Sequence, residues 1–290
     1  MLSFLNDLFT LDFMLRAFIA GIVLGAIAPI IGSIVVIRRL SFIADTLGHF
    51  SLVGIAVSLF LSTLGISIFF EKPLYLGIAF SIIGGFLIEM FRRSYKNYKE
   101  ISMVIVISIG SALSAIFFSL ASKTGSLYSY LFGSILTITD YYLVLILITA
   151  TIVITLFIVF GKQILSISFD ETTAKFLGVN VNIFQMMFMI TLSIVVSVML
   201  ESAGVLLISS MMIIPVASAM RVGWSYKSTL LISIVFSELS VFFGLWIAYS
   251  LNIPSGAAIV SINVIILLIV AVAKRIVLKR SIAKADKLEA

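Results

Sequence analysis

The 290-residue sequence predicts an all-α, polytopic integral membrane protein, and three observations carry that reading. Apolar residues make up 62% of the chain and charged residues only 11%, where a soluble domain carries about 25% charged residues. Mean hydropathy is +1.28. Apolar runs of about 20 residues, the length needed to cross the hydrocarbon core, recur from one end of the chain to the other. There are no cysteines, which excludes disulfides and thiolate metal sites. The opening stretch Met1–Phe13 has no basic region and no small-residue cleavage site, so it does not read as a signal peptide.

Taken in order, the apolar runs give nine transmembrane helices at roughly 12–37, 42–62, 73–91, 101–121, 140–161, 182–200, 203–220, 228–250 and 256–277. The third is short and residues 196–221 are nearly continuous, so eight spans are the alternative. Basic residues decide the orientation. Sixteen of the 19 Lys and Arg follow the odd-numbered spans: Arg38, Arg39, Arg92, Arg93, Lys96, Lys99, Lys162, Lys175, Arg221, Lys227 and the six from Lys274 onward. Only Arg16, Lys72 and Lys123 fall on the other side. By the positive-inside rule the N-terminus is outside and the C-terminus cytoplasmic. An even number of spans would break this alternation, which favours nine. The net charge of +6 belongs to this topology and not to nucleic-acid binding. The chain reads as a single transmembrane domain over residues 1–278, with a short basic cytoplasmic tail at 279–290.

The connection after the fifth span, residues 168–178, has structure of its own. Ser168 followed by Glu171 reads as a capping box, Gly178 stands where a helix-ending glycine belongs, and Phe169, Thr173, Phe176 and Leu177 form an apolar stripe. Such a helix either lies on headgroups and its own bundle or docks a cytoplasmic partner. No GxxxxGK[ST] motif occurs; Gly161-Lys162 is followed by Gln163. The chain therefore cannot cradle a nucleotide phosphate by that route, and any ATP-derived power comes from another polypeptide.

The seventh span, from Gly204 to Arg221, mixes small residues with Pro215. Proline frees a backbone carbonyl and small residues allow close helix approach, which suits a pathway-lining helix or an ordinary tightly packed one. Pro29 interrupts the first span in a comparable way.

Asp45 and His49, the only histidine, are four residues apart in the second span and share a helix face. A carboxylate and an imidazole so placed can hold a divalent cation together, or can pin two helices by a hydrogen bond. Ionisable groups in a span are functional candidates by default. Two ligands are too few for a tight zinc site, which suits an ion that must be released. In a symmetric dimer with this helix near the axis, two copies would supply four ligands. Glu238, in the middle of the eighth span, and Glu201, at the outer rim, rank behind the pair as metal-handling candidates. Glu89 and Asp12 read as interfacial, and Met211-Met212 as packing.

Four stretches resemble the membrane permease subunits of bacterial ABC importers for zinc and manganese. They are Gly32–Ala56 with Arg38-Arg39, Asp45 and His49; Tyr130-Leu-Phe-Gly-Ser-Ile135; Ser168–Gly178; and Gly204–Ala219 with Pro215. Gly48 stands where that family has serine, and Val53 where proline is common. The resemblance spans roughly residues 10–270. It implies a homodimer in the bacterial cytoplasmic membrane, two cytoplasmic ABC ATPase subunits and an extracytoplasmic metal-binding protein. On the coupling helix it carries Ser168, Phe169, Asp170, Glu171, Ala174 and Gly178 as the ATPase contact, and it assigns Asp45 and His49 to the translocated ion. No permanent cofactor is implied; zinc or manganese would be the substrate. The stretch Tyr95–Ile101 is similar to zinc permeases of Gram-positive bacteria, and a histidine donor suits zinc better than manganese. Two other classes compete: a secondary transporter or channel with Glu238 as a proton-coupling carboxylate, and a membrane scaffold or sensor that transports nothing.

Overall fold

A computed structural model describes residues 7–8, 10–66, 72–95, 98–122, 124–133 and 135–289. Among the charges used for orientation, Lys96 and Lys123 lie outside the described residues, as do the side chains of Lys99 and of every residue from 277 onward.

Among the described residues the fold is helical and contains no strand. In chain order the helices are α1 (Asp12–Ile37), α2 (Ile43–Thr63), α3 (Pro73–Ser94), α4 (Lys99–Leu120), the short α5 (Thr124–Phe132), α6 (Asp140–Phe169), α7 (Glu171–Phe176), α8 (Val181–Ala203), α9 (Val205–Ala219), α10 (Tyr226–Leu251) and α11 (Ser255–Glu289). A single turn of 3-10 helix, Ile135–Thr137, joins α5 to α6. Local chemistry sets several of these ends. Pro73 opens α3 at a position where its missing N–H costs nothing. The Asn180 and Ser225 side chains cap α8 and α10.

Eight helices are long and apolar enough to cross a membrane: α1, α2, α3, α4, α6, α8, α10 and α11 as far as Ile276. The ninth, α9, has 15 residues and rises about 22 Å, short of the roughly 30 Å hydrocarbon core. Its shortness has a local cause. The near-continuous apolar run 196–221 is cut at Gly204, whose φ of 82° ends α8 and starts α9. A Cβ at Gly204 would lie 2.6 Å from the Gly133 nitrogen, and one at Gly133 would lie 2.2 Å from the Ala203 carbonyl carbon. Backbone meets backbone there, and no side chain fits between.

The helices alternate in direction, so their ends gather into two rims. One rim joins Asp7 to Tyr249 (2.6 Å), Arg16 to Asp140 (3.1 Å) and the Ile135 N–H to Ser255 Oγ (2.8 Å). The opposite rim joins Gln185 Nε2 to Glu89 (2.7 Å) and Ser33 to Tyr226 (3.0 Å). The short α9 leads from the end of α8 back toward the second rim. Glu89 sits at the second rim and also pairs with Arg92 and Arg93.

One expectation is corrected. The fifth span does not stop near residue 161; α6 continues to Phe169, so Lys162 and Ser168 sit on helix. The residues read as a basic tail from 279 have helical backbone as far as Glu289. The core is one apolar cluster through the bundle, with Leu24, Leu47, Phe50, Leu192, Val196 and Met211 among its members. The most enclosed spans are α1 and α2; α6 and α11 are the least.

Candidate functional site

A tight turn delivers the second helix. Arg39 takes φ 55°, the Leu40 N–H bonds the Val35 carbonyl (2.9 Å) and the Ile43 N–H bonds the Leu40 carbonyl (2.9 Å), so α2 begins at once. Asp45 lies in its first turn, where the positive end of the helix favours a carboxylate. Thr46, Leu47, Gly48 and Phe50 are buried, whereas Asp45 and His49 are half-buried and Phe42 is exposed. Phe42, Asp45 and His49 therefore form an i, i+3, i+7 stripe that the rest of the chain leaves partly open.

A matching stripe comes from α9. Leu206 is exposed and Ser209 and Ile213 are half-buried, again at i, i+3, i+7. The Ser209 hydroxyl faces the Asp45 carboxylate. Gly48 lets α9 come close: a Cβ there would lie 3.3 Å from Val205 Cγ1, so a side chain at this position would press against Val205. The Nδ1 atom of His49 is buried and has no hydrogen-bond partner among the described residues. The site is thus a carboxylate, an imidazole and a hydroxyl in the centre of an otherwise apolar face. Among the described residues no group of three or more His, Cys, Asp or Glu could hold a metal. One chain offers two strong donors, enough for a passing ion and too few for a resident one.

Glu238 and Glu201 are not gathered to this pair. Glu238 points from α10 at α1, with Oε1 2.9 Å from where a Cβ of Gly25 would stand. It borders an apolar groove lined by Phe18, Ile22, Val235 and Phe242. The neighbouring serines do not hold it: Ser240 donates to the Phe236 carbonyl (2.9 Å) and the Ser237 hydroxyl is buried and unpartnered. Glu201 ends α8 at the first rim, accepting from Tyr142 (2.9 Å) and facing Tyr130. It lines an open cleft of about 610 Å³ with Tyr128, Thr137 and Asn252. Pro215 is buried in α9, two residues beyond the open stripe, and Gly204 is the α8–α9 break itself.

The segment 168–178 departs from its expected cap. Ser168 is still in α6 and donates back to the Ile164 carbonyl (2.6 Å). The cap is Asp170, whose carboxylate accepts from the Thr172 N–H (2.9 Å) and from the hydroxyls of Thr172 and Thr173. Those bonds hold the Asp170 carboxyl at about 2, below the usual carboxylate range. The reason is geometric: α7 leaves α6 after an extended Asp170, φ −150°, so the residue in β conformation does the capping. Glu171 pairs with Lys175 (3.2 Å) instead of closing a box. The far end is as expected. Gly178 has φ 80°, its N–H reaches the Lys175 carbonyl (3.0 Å) and the Val179 N–H reaches the Ala174 carbonyl (3.1 Å), a Schellman ending.

This short helix is anchored by one small side chain. Ala174 is fully buried against Ile167 and Val181, while Phe169 and Leu177 are exposed and Phe176 is 92% exposed. The apolar stripe does not close the chain's own bundle. It points away from it.

Sequence reasoning missed Ser209, the tyrosines around Glu201, the helix α5 and the seating of Arg38 over the Phe188 ring (5.5 Å). Ser209 and Ser210 are equivalent in sequence, and only the rotation of α9 against α2 separates them.

Comparisons with known proteins identify the family and the fold. Residues 10–274 match the ABC 3 transport family. A manganese transport system membrane protein, MntC, of Listeria monocytogenes is 31% identical over 92% of this chain and 92% of its own. The high-affinity zinc uptake system membrane protein ZnuB of Buchnera aphidicola is 31% identical over 83% of this chain and 90% of its own. Among solved structures, PsaBC from Streptococcus pneumoniae in complex with Fab superposes with a TM-score of 0.80 at 29% identity, covering 93% of this chain and 95% of the matched one. The chain belongs to the ABC 3 transport family, as a membrane-embedded transport subunit and not an enzyme.

Proposed function

We propose that this chain is the permease subunit of an ATP-driven importer for a divalent transition metal in the bacterial cytoplasmic membrane, working by alternating access. The observation that carries the reading is the half-open face of α2 and α9, where Asp45, His49 and Ser209 stand together on an otherwise apolar face. Burying such groups against hydrocarbon costs several kcal/mol, a cost a transport pathway explains. A homodimer that apposes two copies of this face brings two carboxylates and two imidazoles together, the donor number a zinc-like ion requires.

On the proposed orientation the N-terminus is outside, and the rim carrying Arg38, Arg92, Arg221 and α7 is cytoplasmic. The cytoplasmic partner is an ABC ATPase, which takes the exposed Phe169, Phe176 and Leu177. Burying one such aromatic side chain contributes about 1.5–3 kcal/mol. ATP-driven movement of α7 is transmitted directly, because α7 follows α6 without a linker and Ala174 ties it to α8. An extracytoplasmic metal-binding protein delivers the ion to the other rim, where Glu201 lines the open cleft and offers it a carboxylate. Pro215 and Gly204 give α9 the irregular backbone that a pathway helix can use.

Zinc is the cargo favoured by the imidazole donor. Manganese is the second reading, supported by the similarity to a protein named for manganese transport. Reconstitution with the cognate ATPase and binding protein, followed by ATP-dependent uptake of labelled zinc and manganese, tests both. Uptake that persists in Asp45→Ala and His49→Ala would overturn the assignment of the pair. The rival readings have less support: among the described residues Glu238 has no hydrogen-bond partner that could relay a proton, and a scaffold has no use for an open polar face in the membrane.

A further inference from the structure

A feature of the cytoplasmic rim is not used by ion transport. Arg38 ends α1 and its guanidinium lies over the Phe188 ring, 5.5 Å from the centroid. Among the described residues it forms no ion pair. The two carboxylates within electrostatic range, Glu89 and Glu171, are engaged elsewhere: Glu89 with Arg92, Arg93 and Gln185, and Glu171 with Lys175. Arg92 lies near enough to repel Arg38, and its Nε is buried without a partner. The rim therefore holds cationic groups with donors to spare.

Directly beneath Phe188 runs a narrow apolar groove between α1, α6 and α8, bordered by Ile34, Val153, Leu156, Ile164, Phe188 and Leu192. From Val153 to Ile164 the groove follows α6 for about 16 Å, close to the roughly 15 Å half-thickness of the hydrocarbon core. It thus has the length of one acyl chain in one leaflet, with an unpaired guanidinium at its headgroup end. A planar, permanently charged guanidinium presents paired donors that suit a phosphate.

We propose that this groove and Arg38 form a binding site for an anionic phospholipid of the cytoplasmic leaflet, one acyl chain lying along α6 and the phosphate on Arg38. The sign of the charge selects the lipid. A zwitterionic headgroup carries its own cation to the same place, whereas phosphatidylglycerol leaves the phosphate free for the arginine. The site is independent of which metal the protein carries. Its position gives it a structural consequence, since Arg38 precedes the turn into α2 and α6 leads into α7.

The test uses the full-length chain in detergent, with phosphatidylglycerol and phosphatidylcholine as probes and lipid retention read by native mass spectrometry. Wild type should retain phosphatidylglycerol in preference to phosphatidylcholine. Arg38→Gln should lower phosphatidylglycerol retention at least about fivefold, in line with a lost charge-assisted hydrogen bond, and leave phosphatidylcholine unchanged. Leu156→Trp, which fills the groove while keeping Arg38, should lower it as well. Arg93→Gln, a charge change at a side chain 72% exposed, should not. Unchanged phosphatidylcholine retention and helix content show that the variants are folded. Equal retention of the two lipids by wild type, or unchanged retention in Arg38→Gln, overturns the proposal. So does equal stabilisation by soluble glycerol 3-phosphate, which would make the site a free-phosphate site. Loss of ATPase association in Arg38→Gln without loss of lipid would overturn it too, as the mark of a protein contact.

Discussion

Asp45 with His49 on α2, and Glu238 on α10, are ionisable groups at similar cost inside one helical bundle, yet their surroundings differ. The α2 pair has a second strong donor one turn away, a hydroxyl from α9 opposite and a half-open face. Glu238 has apolar walls, a glycine across from it and serines bonded elsewhere or unpartnered. In a membrane, the presence of a charge marks a place worth examining, and the company it keeps says what the place does. A group that hands on an ion needs other donors within reach; a solitary carboxylate has nowhere to send one.

The sharpest way to break this contrast is to exchange the two sites' expected phenotypes. Asp45→Ala or His49→Ala should reduce metal uptake at least about 50-fold in proteoliposomes, with the ATPase still bound, whereas Glu238→Gln should stay within about twofold. A reversed order would transfer the pathway to α10. Backbone spacing around the two sites gives the next largest difference. A Cβ at Gly32 would stand 1.8 Å from the Met212 carbonyl oxygen on α9, whereas at Gly25 the obstacle is the movable Glu238 carboxylate at 2.9 Å. Gly32→Ala should destabilise by about 3 kcal/mol and Gly25→Ala by less than about 1 kcal/mol, as a difference in thermal midpoint. Among the hydroxyls, Ser209→Ala should lower uptake about 3- to 10-fold while Ser237→Ala changes it less than about twofold.

The smallest effect expected is a null one that isolates the membrane sites. The Asp170 carboxyl is held at about 2, below its unfolded value near 3.9. Its contribution to α7 is therefore fully present above the unfolded value and is lost only as pH falls through about 2. ATPase association should be flat from pH 5 to 8. Any change in uptake across that window then arises elsewhere than at the α7 cap.

Much of this was legible in the sequence because membrane helices are written in runs of hydropathy and in the placement of lysine and arginine. The spans at 12–37, 73–91 and 228–250 needed adjustment by at most three residues at an end. The fifth needed more, since nothing between Phe160 and Phe169 forbids helix and Lys162 can extend its amine to water from a helical position. The cap at 168–171 misled because Ser-x-x-Glu and Asp-x-Thr-Thr overlap, and the chain's exit angle from α6 decides between them. The pair at Asp45 and His49 was readable from i, i+4 spacing. Its hydroxyl neighbour was not, because the face that α9 turns to α2 depends on Gly48, Gly204 and the packing of both helices.

The brevity of α9 has an electrical consequence. Beside the α2 pair the chain spans about 22 Å where its neighbours span the full core, and the Gly133–Gly204 junction fills the remainder with packed peptide dipoles. On the proposed orientation the membrane voltage acts across α9 and this junction together. A doubly charged ion crossing 100 mV, negative inside, gains about 4.6 kcal/mol. That gain draws a cation inward past Asp45 and His49.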